Sequence, residues 1–198
     1  MAPQLRPDEP RTIAFFDGQN LFHSAREAFE TNLPGAIDYR YPNYDPLKLA
    51  ERVCQDQGWK LTQVRFYTGV PPAPDWRHDW WSRKLAALGK HPKVVTWSRE
   101  TRNNQEKGVD VRIALDVVGL ALDMVFDVAL VFSQDQDIAE VRGDLIRTAR
   151  RQGRWIRLAS AFRVSSQAQN RRGLNGSDWI HLDRALYESC LDPRDYRR

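Results

Sequence analysis

Cysteine is scarce in this chain. Its 198 residues include two, Cys54 and Cys190, far apart and in helix-like segments. They form no zinc-ligand spacing and no disulfide framework, and a reducing cytoplasm is the compartment that such usage suggests. The four histidines, His23, His78, His91 and His181, also lack metal-ligand spacing. No apolar run approaches the roughly 18 residues that a membrane span needs, so no membrane partner is expected. The N-terminus, Met1-Ala2-Pro3-Gln4-Leu5-Arg6-Pro7, is polar and proline-rich and has no apolar core of the signal-peptide kind. Glycines are placed neither as a phosphate loop nor as a dinucleotide fingerprint, since Gly69-Val70-Pro71-Pro72 opens no helix. There is no internal repeat and no low-complexity tract.

What is present is an ordinary globular composition, 41% hydrophobic and 28% charged, with a formal net charge of +4. The distribution of charge says more than the total. Arg142, Arg147, Arg150, Arg151, Arg154 and Arg157 crowd one stretch, and Arg163, Arg171 and Arg172 follow. Basic residues around an acidic pocket suit a polyanion that must reach carboxylates. A solvated arginine-rich helix face explains them equally well.

Strand and helix patterns alternate from end to end, which predicts an α/β domain over residues 12–191 with a parallel sheet. Residues 1–11 are expected to be a flexible N-terminal segment, and 192–198 a fraying tail. Strands are predicted at 12–17, 61–67, 93–97, 128–132, 155–159 and 179–182. Helices are predicted at 21–29, 45–57, 75–88, 109–122, 138–152 and 184–191. Asp45-Pro46 supplies a cap and a first-turn proline, and Gly58 a stop. A Pro- and Tyr-rich excursion spans 31–44, polar loops span 98–106, and the polar stretch 165–178 is read as partly helical. With one reversal of direction, the first strand lies beside the fourth, at a topological switch point.

Acidic residues fall where apolar strands end. Ile13-Ala14-Phe15-Phe16 runs into Asp17-Gly18-Gln19-Asn20, and Val128-Ala129-Leu130-Val131-Phe132 runs into Ser133-Gln134-Asp135-Gln136-Asp137. Between them Lys107-Gly108-Val109-Asp110 opens an apolar helix. Strands buried on both faces belong to parallel sheets, whose ligands bind beyond the carboxyl ends. Carboxylates gathered there repel one another unless a cation intervenes, which points to a divalent metal and to phosphate chemistry. Turn and cap roles compete with this reading. Asp17 is a candidate turn former and Asp137 a candidate cap, while Asp110 suits the helix dipole. Asp116, six residues past Asp110, lies about 9 Å further along the helix and suits an ion pair better than the same metal. Ser133 and Asn20 are candidates for orienting carboxylates, water or substrate, and Lys107 for contacting a phosphate.

These three motifs, in this order and on these elements, resemble the NYN domain family, a branch of the PIN-like nuclease superfamily, and most closely its LabA/DUF88-type members. The resemblance covers about residues 12–183. It implies a Rossmann-like three-layer α/β/α sandwich with a mostly parallel sheet, and a metal-dependent ribonuclease using Mg2+ or Mn2+ on single-stranded RNA. Asp17, Asp110 and Asp135 match the family's metal-binding aspartates, and Asp137 matches the second aspartate of the last motif. These four are therefore the catalytic candidates, with Asn20, Lys107 and Ser133 toward substrate. Two positions depart from the family: Gln134 stands where glycine is usual, and Ile138 where an aromatic is usual. Gln134 is bulky enough to narrow the pocket or demand another turn. It also motivates two alternatives, a non-catalytic RNA-binding or regulatory module and an enzyme acting on a small molecule in the same pocket.

Trp76, Trp80 and Trp81 fall at helical spacing beside Arg77, Arg83 and Lys84. They suit either base stacking or burial in a core or a homodimer contact, and core packing is preferred.

Overall fold

The first strand, β1 (Arg11–Asp17), is apolar at successive positions and so has to be covered on both faces. A computed structural model describes residues 5–29, 43–101, 105–164 and 171–197. After β1 come α1 (Gly18–Phe29), α2 (Pro46–Gln57), β2 (Lys60–Val70), α3 (Trp76–Leu88), β3 (Val94–Glu100) and α4 (Val109–Leu122). The chain continues with β4 (Val128–Phe132), α5 (Gln136–Ala139), α6 (Val141–Gln152), β5 (Arg157–Arg163), β6 (Asp178–Leu182) and α7 (Arg184–Ser189). Most of the Pro- and Tyr-rich excursion, with Tyr39 and Tyr41, lies outside the described residues, as do parts of the polar stretches after β3 and β5.

The strands form a six-stranded sheet in the order β3-β2-β1-β4-β5-β6. Every neighbouring pair is parallel. Alternate side chains of β1 feed two separate cores. Ala14 and Phe16 pack with residues of α1, α2, α3 and α7, including Leu21, Leu49, Trp81 and Tyr187. Ile13 and Phe15 pack with α4, α5 and α6 through Val109, Ile113, Ile138 and Leu145. The chain is thus an α/β/α sandwich of the Rossmann-like kind, with the switch point between β1 and β4. There Phe16 pairs with Phe132. Their rings stack at 3.9 Å. One residue further along stand Asp17 and Ser133.

Several boundaries differ from the sequence expectation. The helix expected at 138–152 starts earlier and breaks at Glu140 into α5 and α6. The fifth strand is displaced to Arg157–Arg163, because its ladder begins where Val128 of β4 offers a partner to Arg157. Residues 171–177 carry no helix. The C-terminal tail, expected to fray, is docked. Tyr196 is 6% exposed and packs edge-on to Trp80 at 5.6 Å. Lys84, fully buried, donates to the Tyr44 carbonyl at 2.9 Å and lies 3.9 Å from the Asp192 carboxylate.

Trp80 and Trp81 are buried in the sheet-facing core, whereas Trp76 is 59% exposed. The tryptophan segment therefore spends two of its three rings on packing, not on a dimer contact or on bases. Part of the basic stretch is likewise structural. Arg154 bonds the Phe126 and Ala121 carbonyls and Asp127. Arg163 is buried against Glu27, and Arg157 lies 3.7 Å from Asp178. Arg154 and Arg163 thus spend their charge within the fold, whereas Arg157 is half exposed. Among the described residues no helix is long and apolar enough to cross a membrane.

Candidate functional site

Asp17 ends β1 and its carboxylate starts α1. The Asn20 amide donates to Asp17 Oδ1 at 3.0 Å, so the aspartate caps the helix. The Ser133 hydroxyl donates to Asp17 Oδ2 at 3.5 Å and accepts from the Asp135 amide at 3.1 Å. Asp135 in turn caps α5, its Oδ1 accepting from the Asp137 amide at 3.1 Å. Capping was foreseen for Asp137, but it falls to Asp135. A single hydrogen-bonded chain thus runs from α1 through Asp17 and Ser133 to Asp135.

Asp110 is delivered by α4. Gly108, at φ 78, precedes that helix in the left-handed region, and an added Cβ there meets Arg99 Nη1 at 3.0 Å. Glycine is the residue that tolerates this turn, which explains its place in Lys107-Gly108-Val109-Asp110.

Asp17, Asp110 and Asp135 line one cavity of about 340 Å³ beyond the carboxyl ends of β1 and β4, together with Glu106 and Lys107. Glu106 is the site residue that sequence reasoning missed, because it closes a polar stretch read only as a loop. The usable signal was its place directly before Lys107. Its Oε1 accepts from the Gly69 amide at the end of β2. An added Cβ on Gly69 meets Thr101 Cγ2 at 2.7 Å and Glu106 Oε1 at 2.9 Å, so the carboxylate approaches bare backbone.

Burial pushes the Asp17 carboxyl up to about 6. The Asn20 amide and the Ser133 hydroxyl oppose the shift, and the Asp135 and Asp110 charges add to it. Burial likewise pushes Glu106 up to about 7, helped by Asp17 and Asp110 and opposed by the Gly69 amide. The acids therefore interact through one another's fields. Among the described residues no three His, Cys, Asp or Glu side chains form a ready-made metal cluster. The carboxylates line a common cleft without closing into a ligand shell.

Asp137 is exposed and lines an adjoining groove, which it shares with Asp110, Glu140 and Asp144 over an apolar floor from Val111, Leu115 and Val118. Ser133, 1% exposed, is turned to Asp17. The side-chain carbonyl of Asn20 accepts from the Gln134 amide at 3.2 Å. Lys107 is exposed at the cleft. Asp116 stands apart in an ion pair, accepting from Arg65 at 2.8 Å, Arg112 at 2.8 Å and the Tyr67 hydroxyl at 2.7 Å.

Gln134 does not narrow the cleft. Its amide donates to the Arg172 carbonyl at 2.7 Å, and Gln136 bonds the Gly173 carbonyl and the Asn175 amide. The glutamines strap the 172–175 segment to the β4 loop.

Among solved structures, a protein of unknown function, VPA0982 from Vibrio parahaemolyticus RIMD 2210633, superposes with a TM-score of 0.54 at 18% identity, covering 91% of this chain and 97% of that one. That likeness speaks to the fold alone. A deacetylase–teicoplanin complex from teicoplanin biosynthesis reaches a TM-score of only 0.28 at 10% identity, over 75% of this chain and 68% of that one, and carries no argument. No curated protein matches this chain. The NYN domain model matches residues 11–172, from the first residue of β1 to the segment strapped by Gln134. The chain belongs to the NYN domain family, within the PIN-like nuclease superfamily.

Proposed function

We propose that this domain is a metal-dependent endoribonuclease-like hydrolase that cuts phosphodiester bonds of single-stranded RNA in the cytoplasm. Mg2+ or Mn2+ is held by Asp17, Asp110 and Asp135. The observation that carries this reading is the gathering of these acids with Glu106 on one cleft at the switch point, where burial and mutual repulsion raise two of the four toward neutrality.

An all-oxygen donor set suits a hard cation. Magnesium keeps several waters and is held by one or two carboxylates plus substrate phosphate, so an open cleft fits it better than a closed cage. When bound, such an ion neutralises phosphate charge and makes its water more acidic.

The chain's own residues supply placement. Ser133 and Asn20 fix the Asp17 carboxylate and the β4 loop against each other. Lys107 offers a positive charge to a phosphate oxygen at the cleft. Asp137 assists from the adjoining groove, which it shares with Asp110. Glu106, raised to about 7, holds a proton near neutral pH in the metal-free protein.

The test is incubation of end-labelled single-stranded RNA with the intact chain, with and without Mn2+. The expected result is internal cleavage that EDTA stops and that Asp17→Asn lowers at least a hundredfold. Binding without cleavage in every metal favours a regulatory module. Neither binding nor cleavage favours a small substrate in the same cleft.

A further inference from the structure

Glu106 separates two cavities. On one side is the acidic cleft. On the other is a cavity of about 310 Å³ lined by Gln19, His23, Pro71, Arg77, Thr101 and Glu106. Its walls come from the start of α1, the residue after β2, the first turn of α3 and the residue after β3. It therefore opens on the same carboxyl rim of the sheet as the acids, on the β2 side of the switch point.

We propose that this second cavity is a nucleobase subsite, which holds the base next to the phosphodiester lying in the acidic cleft. The inference rests on the nuclease reading for its position, but its evidence is separate.

The first observation is an orphaned polar atom. Thr101 Oγ1 is buried and has no hydrogen-bond partner among the described residues, although it belongs to the cavity wall. A buried hydroxyl left unpaired is costly, and a group bound in this cavity would supply the partner. The second is the chemistry of the lining. Gln19 presents an amide, with one donor group and one acceptor, and Thr101 a hydroxyl. Burial, aided by Arg26, holds the His23 imidazole below its ordinary value, so it is neutral at pH 7 and also able to donate and accept. The two ionisable groups of the wall besides His23 already have partners, Arg77 in Asp75 through its Nε at 3.0 Å and Glu106 in the Gly69 amide. Donors and acceptors beside the apolar Pro71, with Arg77 already paired to Asp75, match the edge and face of a base better than a phosphate. The volume is in the range of small-ligand pockets.

The third observation is exclusion from the other side. The groove beyond Asp110 is rimmed by Asp137 and Glu140, with Asp144 paired to Arg147, and floored by apolar residues, a surface that favours a polyanion less than the cleft beside Lys107 does. A strand whose phosphate enters the cleft is thereby directed past Glu106 toward Gln19 and Thr101.

The test uses the intact chain and the four nucleoside 5′-monophosphates, with binding followed by NMR line shifts. Thr101→Val keeps the shape and removes the orphaned hydroxyl, and Gln19→Ala removes the amide from a helical first turn. Thermal melting checks that both variants remain folded. The expected result is that one or two bases bind in preference to the others and that each substitution weakens them at least fivefold. Equal binding of all four, no binding of any, or a preference untouched by both substitutions overturns the subsite. Cleavage of random-sequence RNA is scored in parallel with Mn2+. Selective, substitution-sensitive binding without cleavage removes the nuclease reading and leaves the base subsite standing. Cleavage with no base preference beside the cut does the reverse.

Discussion

Asn20 and Gln134 join the two sides of the switch point, the Asn20 side-chain carbonyl accepting from the Gln134 amide at 3.2 Å. This bond ties the start of α1 to the loop after β4. It lets the Gln134 side chain turn away from the acids and toward the Arg172 carbonyl. Glycine, usual at this position in the family, makes only the first of these contacts. Gln134→Gly is therefore expected to lower stability by about 1–2 kcal/mol, from the lost hydrogen bond and the added backbone freedom, while cleavage persists. Hydrogen exchange should quicken around residues 172–175. Unchanged exchange there would show that the glutamine strap is idle.

The metal-free protein should lose stability as pH rises. Asp17 and Glu106 both have folded-state values above their ordinary ones, at about 6 and about 7. Their contribution is complete below the ordinary carboxyl range and is lost as pH climbs through those values, at a cost on the order of 2–3 kcal/mol each. His23, held low, works in the opposite sense below its ordinary value. The net expectation is a melting temperature several degrees lower at pH 8 than at pH 5 without metal, recovered at pH 8 by Mn2+. Asp17→Asn should flatten this dependence. A wild-type melting curve independent of both pH and metal would contradict the account.

Gly69 allows Glu106 to reach the rim. Gly69→Ala places a methyl group against Thr101 and Glu106 at under 3 Å, so both must move. A loss of about 1–3 kcal/mol is expected from overpacking, with a fall in metal-dependent cleavage larger than that of a surface control. Normal activity together with normal stability would mean that Glu106 is free to shift at no cost.

Lys84 should prove structural. It is fully buried under the tail, and burial pushes its amine down to about 8 despite Asp192 and Asp45. Lys84→Met leaves the Tyr44 carbonyl without its donor and Asp192 without this cation, although Arg194 still pairs with Asp192. The expected loss is about 2–4 kcal/mol, read by urea unfolding, with residues 192–197 becoming protease-sensitive. A fully stable variant with a protected tail would assign the docking to Tyr196 alone.

The centre of the sheet was legible because β1 and β4 are apolar at successive positions, which in a parallel sheet means burial on both faces. The motif aspartates were legible because each follows such a strand or opens an apolar helix. Glu106 was not, since a carboxylate in a polar loop carries no periodic signal and its importance depends on the close approach of Gly69. The docked tail was hidden for a related reason. A charged, proline-containing terminus reads as frayed until the buried Lys84 is seen to need it. The structural roles of Arg154 and Arg163 were hidden because their partners Asp127 and Glu27 lie on other elements.

In the proposed function Asp17, Asp110 and Asp135 together hold a divalent ion. Electron paramagnetic resonance of Mn2+ titrated into the intact chain measures this directly, because bound manganese loses the sharp signal of the free ion. The expected result is saturable binding to wild type, weakened at least tenfold by each of Asp17→Asn, Asp110→Asn and Asp135→Asn and unaffected by Asp116→Asn. Absence of binding, or binding indifferent to all three substitutions, would contradict it.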